Sequence, residues 1–357
     1  MLPVKLIPHE HELISSWLIR LSFANGISLR RLSQLIFDNS SLIQKDIDKY
    51  LNKDTINKIS QVTEIPKNHI YTLTLQYSIS NIYYQQPITQ SKWSWVIPTG
   101  GKYILKTHGL QFCPECLYDK GIMFSHFSRL SWNICCEKHK RLLHSKCPKC
   151  NHPYAPQLIE PNYELSLCIY CGFDLSTIED SLCISSEAIE LQQFLNQCFL
   201  TNKIPSSKYQ ILDKSIKEVF YTVRVIVQFL YRIRNKTSLL QNLKDELHIK
   251  FLTYNFQTEP KPLDTLSSQK RMVLMHNVSL LLKQPILNVE KCLLSQRITY
   301  RQLFGSNNSI PHSQTIKFLC KSLKIRTANQ PTKQPTIIKP KSKEEVDTLM
   351  YHIEEYL

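Results

Sequence analysis

The sequence predicts a mainly α-helical protein interrupted by one central module in which helices give way to paired cysteines. Three observations predict this. Apolar residues recur at helical spacing through residues 1–108 and again beyond Ser186. Between them, residues 113–171 hold eight cysteine or histidine residues in four pairs. Pro148, Pro153, Pro156 and Pro161 exclude any long helix there. With 357 residues and 42% hydrophobic content, the chain has room for two or three domains, each with a core of its own.

The first helix is expected over His11 to Ala24, with Leu13, Trp17, Leu21 and Ala24 on one face. Asn25-Gly26 should end it, because both residues tolerate the left-handed conformation. Ser28 can cap a second helix running to Phe37, with Leu29, Leu32, Leu35 and Ile36 as its apolar stripe. A third helix is expected from about Asp54, with Ile56, Ile59 and Val62 inward, broken by Pro66. His69 to Gln76 forms a fourth. The pair Thr55–Val62 and Asn68–Leu75 has the size of a helix-turn-helix, and periodicity alone fits an ordinary helical hairpin equally well. Trp93, Trp95, Pro98 and Gly100-Gly101 read as a packing or connecting segment.

The four pairs are Cys113-x-x-Cys116, Cys136-x-x-His139, Cys147-x-x-Cys150 and Cys168-x-x-Cys171. Two ligands three positions apart form a knuckle that aims both side chains at one point, and two knuckles complete a tetrahedron around Zn²⁺. Nineteen residues separate Cys116 from Cys136, and seventeen separate Cys150 from Cys168. Both gaps suit a zinc ribbon. Sequential pairing gives one Cys₃His site and one Cys₄ site, hence a double zinc-ribbon module with two structural zinc ions per chain. Cross-braced pairing is also open to this spacing, since His139 and Cys147 are close in sequence. Cys135 neighbours Cys136 and competes with it, although the spacing to His139 favours Cys136. Short strands and turns are expected in this module. Cys183, Cys198, Cys292 and Cys320 stand alone and read as core thiols, and His108, His126, His144 and His152 as packing or surface residues.

Helices resume with Glu187–Phe199, Lys214–Arg234, Leu266–Leu282, Val289–Leu303 and Ser313–Leu323. Pro331, Pro335 and Pro340 mark a linker, and Glu344 to Leu357 an amphipathic helix with Val346, Leu349, Met350, Ile353 and Leu357 on one side. The expected organisation is therefore an N-terminal helix-turn-helix-like domain (1–108), the double zinc ribbon (109–183), a basic helical C-terminal domain (184–326), a linker (327–340) and a terminal helix (341–357).

The chain carries 44 basic and 29 acidic residues, net +15. Residues 250–340 alone hold 14 basic and 3 acidic side chains. This excess favours an acidic partner such as nucleic acid. The candidate contacts are Lys291, Arg297 and Arg301, then Lys317, Lys321, Lys324 and Arg326 after the Gly305–Pro311 loop. Lys317, Lys321 and Lys324 share a helical face, and the two helices have the form of a second helix-turn-helix able to meet phosphates. A solvated basic face is the equal alternative. No apolar run reaches the length of a membrane span, and Met1 to Glu12 lacks the features of a signal peptide. Catalysis is not expected: both ligand sets are full, His9-Glu10-His11-Glu12 reads as a solvated helix start, and seven glycines provide no phosphate loop.

Three segments resemble the TniQ/TnsD family, the target-selection proteins of Tn-seven-like transposons. Glu12-Leu13-Ile14-Ser15-Ser16-Trp17-Leu18-Ile19-Arg20-Leu21 with Asn25-Gly26 resembles the family's opening helix. Gln111-Phe112-Cys113-Pro114-Glu115-Cys116-Leu117, Cys136-x-x-His139, Leu142-Leu143 and Cys147-Pro148-x-Cys150 resemble its zinc signature. Gln61 to Leu75 resembles its N-terminal helix-turn-helix. The family often has an Arg and a Trp ahead of the Cys-x-x-His knuckle, and Arg129 and Trp132 lie close to it here; Cys135-Cys136 departs from the single cysteine that is usual. The likeness covers about residues 10–175.

The resemblance implies a non-enzymatic adaptor that recruits the transposon AAA+ ATPase in a bacterial cytoplasm, associated with the nucleoid. One branch sits, often as a homodimer, on a guide-RNA Cascade complex in CRISPR-associated transposons. The other, TnsD-like branch binds a specific DNA site directly. The length of this chain favours the first.

Overall fold

The computed structural model describes residues 2–37, 46–85, 93–99, 110–119, 123–179, 184–253, 263–305 and 311–327. The Pro-containing linker beyond residue 327, the terminal helix, Gly100-Gly101, His108, Cys183 and residues 306–310 of the basic loop lie outside them. The described residues are mainly helical and include no β-strand; six isolated bridges stand where short strands were expected. Each bridge in the cysteine module spans a knuckle or joins two, which leaves no run long enough for a ladder.

Helix α1 (Ile14–Ala24) buries Ile14, Trp17, Leu18 and Leu21, and ends at Asn25 with Gly26 at φ 66°. Helix α2 (Leu29–Phe37) starts after Ser28, whose Oγ accepts from the Arg31 amide, and buries Leu29, Leu32 and Ile36. Leu35, expected inward, is 51% exposed, because it falls between the buried positions of this short helix. Helix α3 (Lys53–Thr63) is capped by Asn52, which accepts from Thr55 N at 2.8 Å. It ends at Glu64 in the left-handed conformation, before Pro66 is reached. Helix α4 (Lys67–Thr72) completes the hairpin. It stops about one turn short of Gln76 because Thr74 takes an extended conformation to cap the four-residue α5 (Leu75–Ser78).

Beyond the cysteine module, which contains the short α6 (Pro114–Tyr118), come α7 (Ser186–Thr201) and α8 (Ile216–Ile233). Ser185 and Ser215 cap them through Ala188 N and Glu218 N. Helix α9 (Thr237–Leu247) was not foreseen; no side-chain cap marks its start, and it follows α8 without a proline or glycine. Helix α10 (Ser268–Leu282) packs chiefly against α7 and α8.

The expected helix Val289–Leu303 is two helices, α11 (Ile286–Ser295) and α12 (Tyr300–Phe304). Arg297 takes φ 53° while Ile298 N bonds Leu293 O at 2.9 Å, which closes the first helix. Thr299 and Gln302 then form a capping box that starts the second. Helix α13 (Gln314–Thr327) packs on both.

Two buried apolar clusters organise these elements. The smaller holds Trp17, Leu18, Leu29, Leu32, Ile59 and Ile70 of the first four helices. The larger takes in Leu13 and then runs from Leu75 through the cysteine module to Leu323. Trp132 is fully buried at its centre, with ring centroids 4.9 Å from Phe220 and 5.7 Å from Trp95. Truncating such an aromatic costs about 3–5 kcal/mol.

Candidate metal centres

Three of the four knuckles share one backbone design. The amides of Cys136, Cys147 and Cys168 donate to the carbonyls of Arg141, His152 and Phe173, each at 2.8–2.9 Å. The amides of Lys140, Asn151 and Gly172 donate back to the carbonyls of the same three cysteines. Lys140, Asn151 and Gly172 all take positive φ, which turns the chain through each knuckle. The bridges Cys135–Leu142, Lys146–Pro153 and Leu167–Asp174 clamp the three loops at their bases. Cys113-Pro114-Glu115-Cys116 differs: Pro114 fits the first position of α6, whose first turn carries both thiols.

The structure brings the eight residues together as two sequential tetrads, Cys113–Cys116–Cys136–His139 and Cys147–Cys150–Cys168–Cys171. Within each, the donor atoms all lie within 4.8 Å of one another. Cys116 Sγ stands 3.7 Å from Cys136 Sγ and 3.3 Å from His139 Nδ1. Cys147–Cys171 and Cys150–Cys168 sulfurs are 3.6 Å apart. Tetrahedral zinc with bonds of about 2.3 Å to sulfur places ligand sulfurs about 3.8 Å apart. Both tetrads can therefore hold a metal ion, and their sulfur-rich donors fit zinc.

The surroundings support ligation. His139 Nε2 lies 3.4 Å from Asp119 Oδ2, which directs Nδ1 at the sulfurs. Lys138 holds the same carboxylate at 2.6 Å and keeps its pKa below the usual range. Hydrogen bonds from Cys113 and Cys116 hold the Cys136 thiol far below its ordinary pKa, and the Phe173 amide brings Cys171 down to about 7. These are the thiols most ready to serve as thiolates.

Cys135 is outside the tetrad. Its sulfur is buried against Gln192 Oε1 at 3.6 Å, and Gln192 also accepts from the Ile134 and Cys135 amides. Cys198, Cys292 and Cys320 are buried thiols, as expected. His126, His144 and His152 join neither tetrad; His152 stacks on Tyr170 at 4.3 Å.

Two polar clusters anchor the module to its neighbours. Arg129, fully buried, donates to Asp46 at 2.9 and 2.7 Å, to Asp48 at 3.2 Å and to Ile97 O at 2.9 Å. Asp48 also accepts from the amide and hydroxyl of Ser15, both at 2.9 Å, at the start of α1. On the other side Asp264 accepts from Arg224 twice at 2.7 Å, from Trp95 N and from Ser131 Oγ. The sequence singled out Arg129 but not its partners, which carry no periodic signal.

Lys291, Arg297, Arg301, Lys317 and Lys321 are exposed on α11, α12, α13 and the turn between the first two, and no carboxylate pairs with them among the described residues. Lys324 and Arg326 follow on α13, with side chains outside the description. No helix among the described residues is long and apolar enough to cross a membrane.

These features define a mainly helical protein whose cysteine module carries two tetrads able to hold metal ions, joined to an N-terminal helical unit through buried ion pairs. The TniQ family model matches residues 3–143, so this segment carries a TniQ domain, which supports a relation to target selection in transposition. The match ends just past the first tetrad. No curated protein matches the chain.

Proposed function

We propose that the chain is a non-enzymatic target-selection adaptor, linking a guide-RNA Cascade complex on target DNA to the transposon AAA+ ATPase. The observation that carries this reading is the TniQ domain over residues 3–143. Each tetrad holds one Zn²⁺. Four protein ligands leave no open coordination position, so the ions are structural and supply folding energy. The α3–α4 hairpin serves as the N-terminal helix-turn-helix, and the protein works as a homodimer in the nucleoid-associated cytoplasm. Domain boundaries at 108, 183 and 326 follow the same reading.

Direct, TnsD-like DNA recognition is the second reading, supported by the unpaired cations Lys291, Arg297, Arg301, Lys317 and Lys321, with Lys324 and Arg326 extending the row. Co-purification of the tagged protein with guide-loaded Cascade from the same locus separates the two, with washes at high salt to remove purely electrostatic contacts. Stoichiometric retention supports the first reading. Loss of the protein from an intact particle, together with specific DNA binding that the paired Lys317→Glu and Lys321→Glu substitutions abolish, supports the second.

A further inference from the structure

Beside the tetrads, a feature that the target-selection reading leaves unused is a cleft of about 680 Å³ along α8. Its volume falls within the range of about 300–1,000 Å³ typical of ligand sites. One wall is a single face of α8: Tyr221, Arg224, Gln228, Tyr231 and Arg232 recur at helical spacing. Facing it are Tyr83, Tyr84 and Trp95, and the rim is closed by Phe304 and His312.

Aromatic faces dominate. Tyr84 and His312 stack at 4.7 Å, and the Arg224 guanidinium lies over Trp95 at 5.0 Å. The electrostatics are one-sided. Arg224 is neutralised by Asp264. Among the described residues Arg232 bonds carbonyls, Gln302 O at 3.1 Å and Leu303 O at 2.6 Å, and no carboxylate; burial lowers its pKa from the ordinary arginine value. No Asp or Glu lines the cleft among the described residues. The Gln228 amide reaches it without a hydrogen-bond partner among the described residues, free both to donate and to accept.

We propose that this cleft binds one unstacked nucleotide of a single-stranded nucleic acid. The base stacks among the tyrosines, Gln228 meets its hydrogen-bonding edge, and the phosphate lies toward Arg232. Duplex does not fit, since its bases are stacked and paired. An acidic peptide would satisfy the cation but leave the aromatic faces without a planar partner. The inference does not depend on the target-selection reading.

The test uses the full-length, zinc-loaded protein and fluorescein-labelled ten-nucleotide RNA, single-stranded DNA and DNA duplex, measured by fluorescence anisotropy. Bromouridine-substituted copies are photocrosslinked and mapped by mass spectrometry. One or both single strands bind at least about tenfold more tightly than duplex, with crosslinks within Tyr221–Arg232 or at Tyr83–Tyr84. The RNA and DNA arms separate the two sources of such a strand. Gln228→Glu and Tyr231→Ala each weaken single-strand binding about tenfold without altering the melting temperature of the Gln228→Glu protein. The paired Lys317→Glu and Lys321→Glu substitutions leave the crosslinks in place. Equal binding of duplex, crosslinks confined to α13, or an unaltered affinity of both cleft variants overturns the proposal. So does Gln228→Glu blocking capture of a protein partner while single-strand binding stays at the wild-type level, which would make the occupant a peptide.

Discussion

Arg129 shows how much one side chain can carry. It is a fully buried cation held by two carboxylates and a carbonyl, so removing it strands Asp46 and Asp48 in the interior. Arg129→Met should destabilise the protein by about 3–5 kcal/mol in urea unfolding, since breaking one partner of a buried pair leaves an uncompensated charge. The adjacent cysteines give a sharper contrast. Cys116→Ser should lower bound metal from two equivalents to one by elemental analysis, whereas Cys135→Ser should leave two. His126 supplies a pH test: burial brings its pKa down to about 4, outweighing the opposing pull of the Leu73 backbone. The unfolded chain then binds the extra proton between pH 6.5 and 4, so stability is complete above that window and falls as pH drops through it. The slope reaches about 1.4 kcal/mol per pH unit, and in His126→Leu the urea midpoint should change less between pH 7 and 5.5 than in the wild type. At this scale the ligands were legible, because spacing of three positions is itself the geometry of a knuckle. The partners of Arg129 were not. They lie 81 and 83 residues earlier, and an isolated aspartate in sequence looks like any solvated one.

The knuckles and helices obey local rules of different strength. Lys140, Asn151 and Gly172 occupy equivalent left-handed positions, yet only one is glycine. An added Cβ at Gly172 meets no neighbour within 4 Å, so the cost of Gly172→Ala is backbone strain alone. A loss of about 1 kcal/mol is expected in thermal melting, with both metal ions retained. Helices with side-chain caps or strong apolar periods were read to within a few residues, as with α1, α8 and α13. Those without were lost or merged. Helix α9 begins after Lys236 with no capping side chain, and the boundary between α11 and α12 is set by Arg297 adopting a conformation that nothing in its chemistry announces. The absence of strands has the same origin: the bridges serve the knuckles, and three hydrogen-bonded loops in 40 residues need no ladder.

Across the whole molecule, metal and core are inseparable. Cys147 and Cys168 belong to the same apolar cluster as Trp132 and the C-terminal helices, and Cys150 and Cys171 pack against it. Chelation should therefore lower the melting temperature of the entire larger cluster and reduce the near-ultraviolet circular dichroism of Trp132, with recovery on adding Zn²⁺. The division into helical, cysteine-rich and helical segments was visible in composition. That one core spans the last two, and that it also takes in Leu13 and Leu75 of the N-terminal segment, was not, because contacts between distant segments leave no periodic trace. The fork of Arg129 also imposes an order on the protein's birth. At roughly 5–20 residues per second, the ribosome adds the 83 residues between Asp46 and Arg129 in roughly 4–16 s. While α3 and α4 emerge in that interval, the two aspartates lack the Arg129 counter-ion, so the first third of the nascent chain waits, unsealed, for the segment that carries the cysteine tetrads.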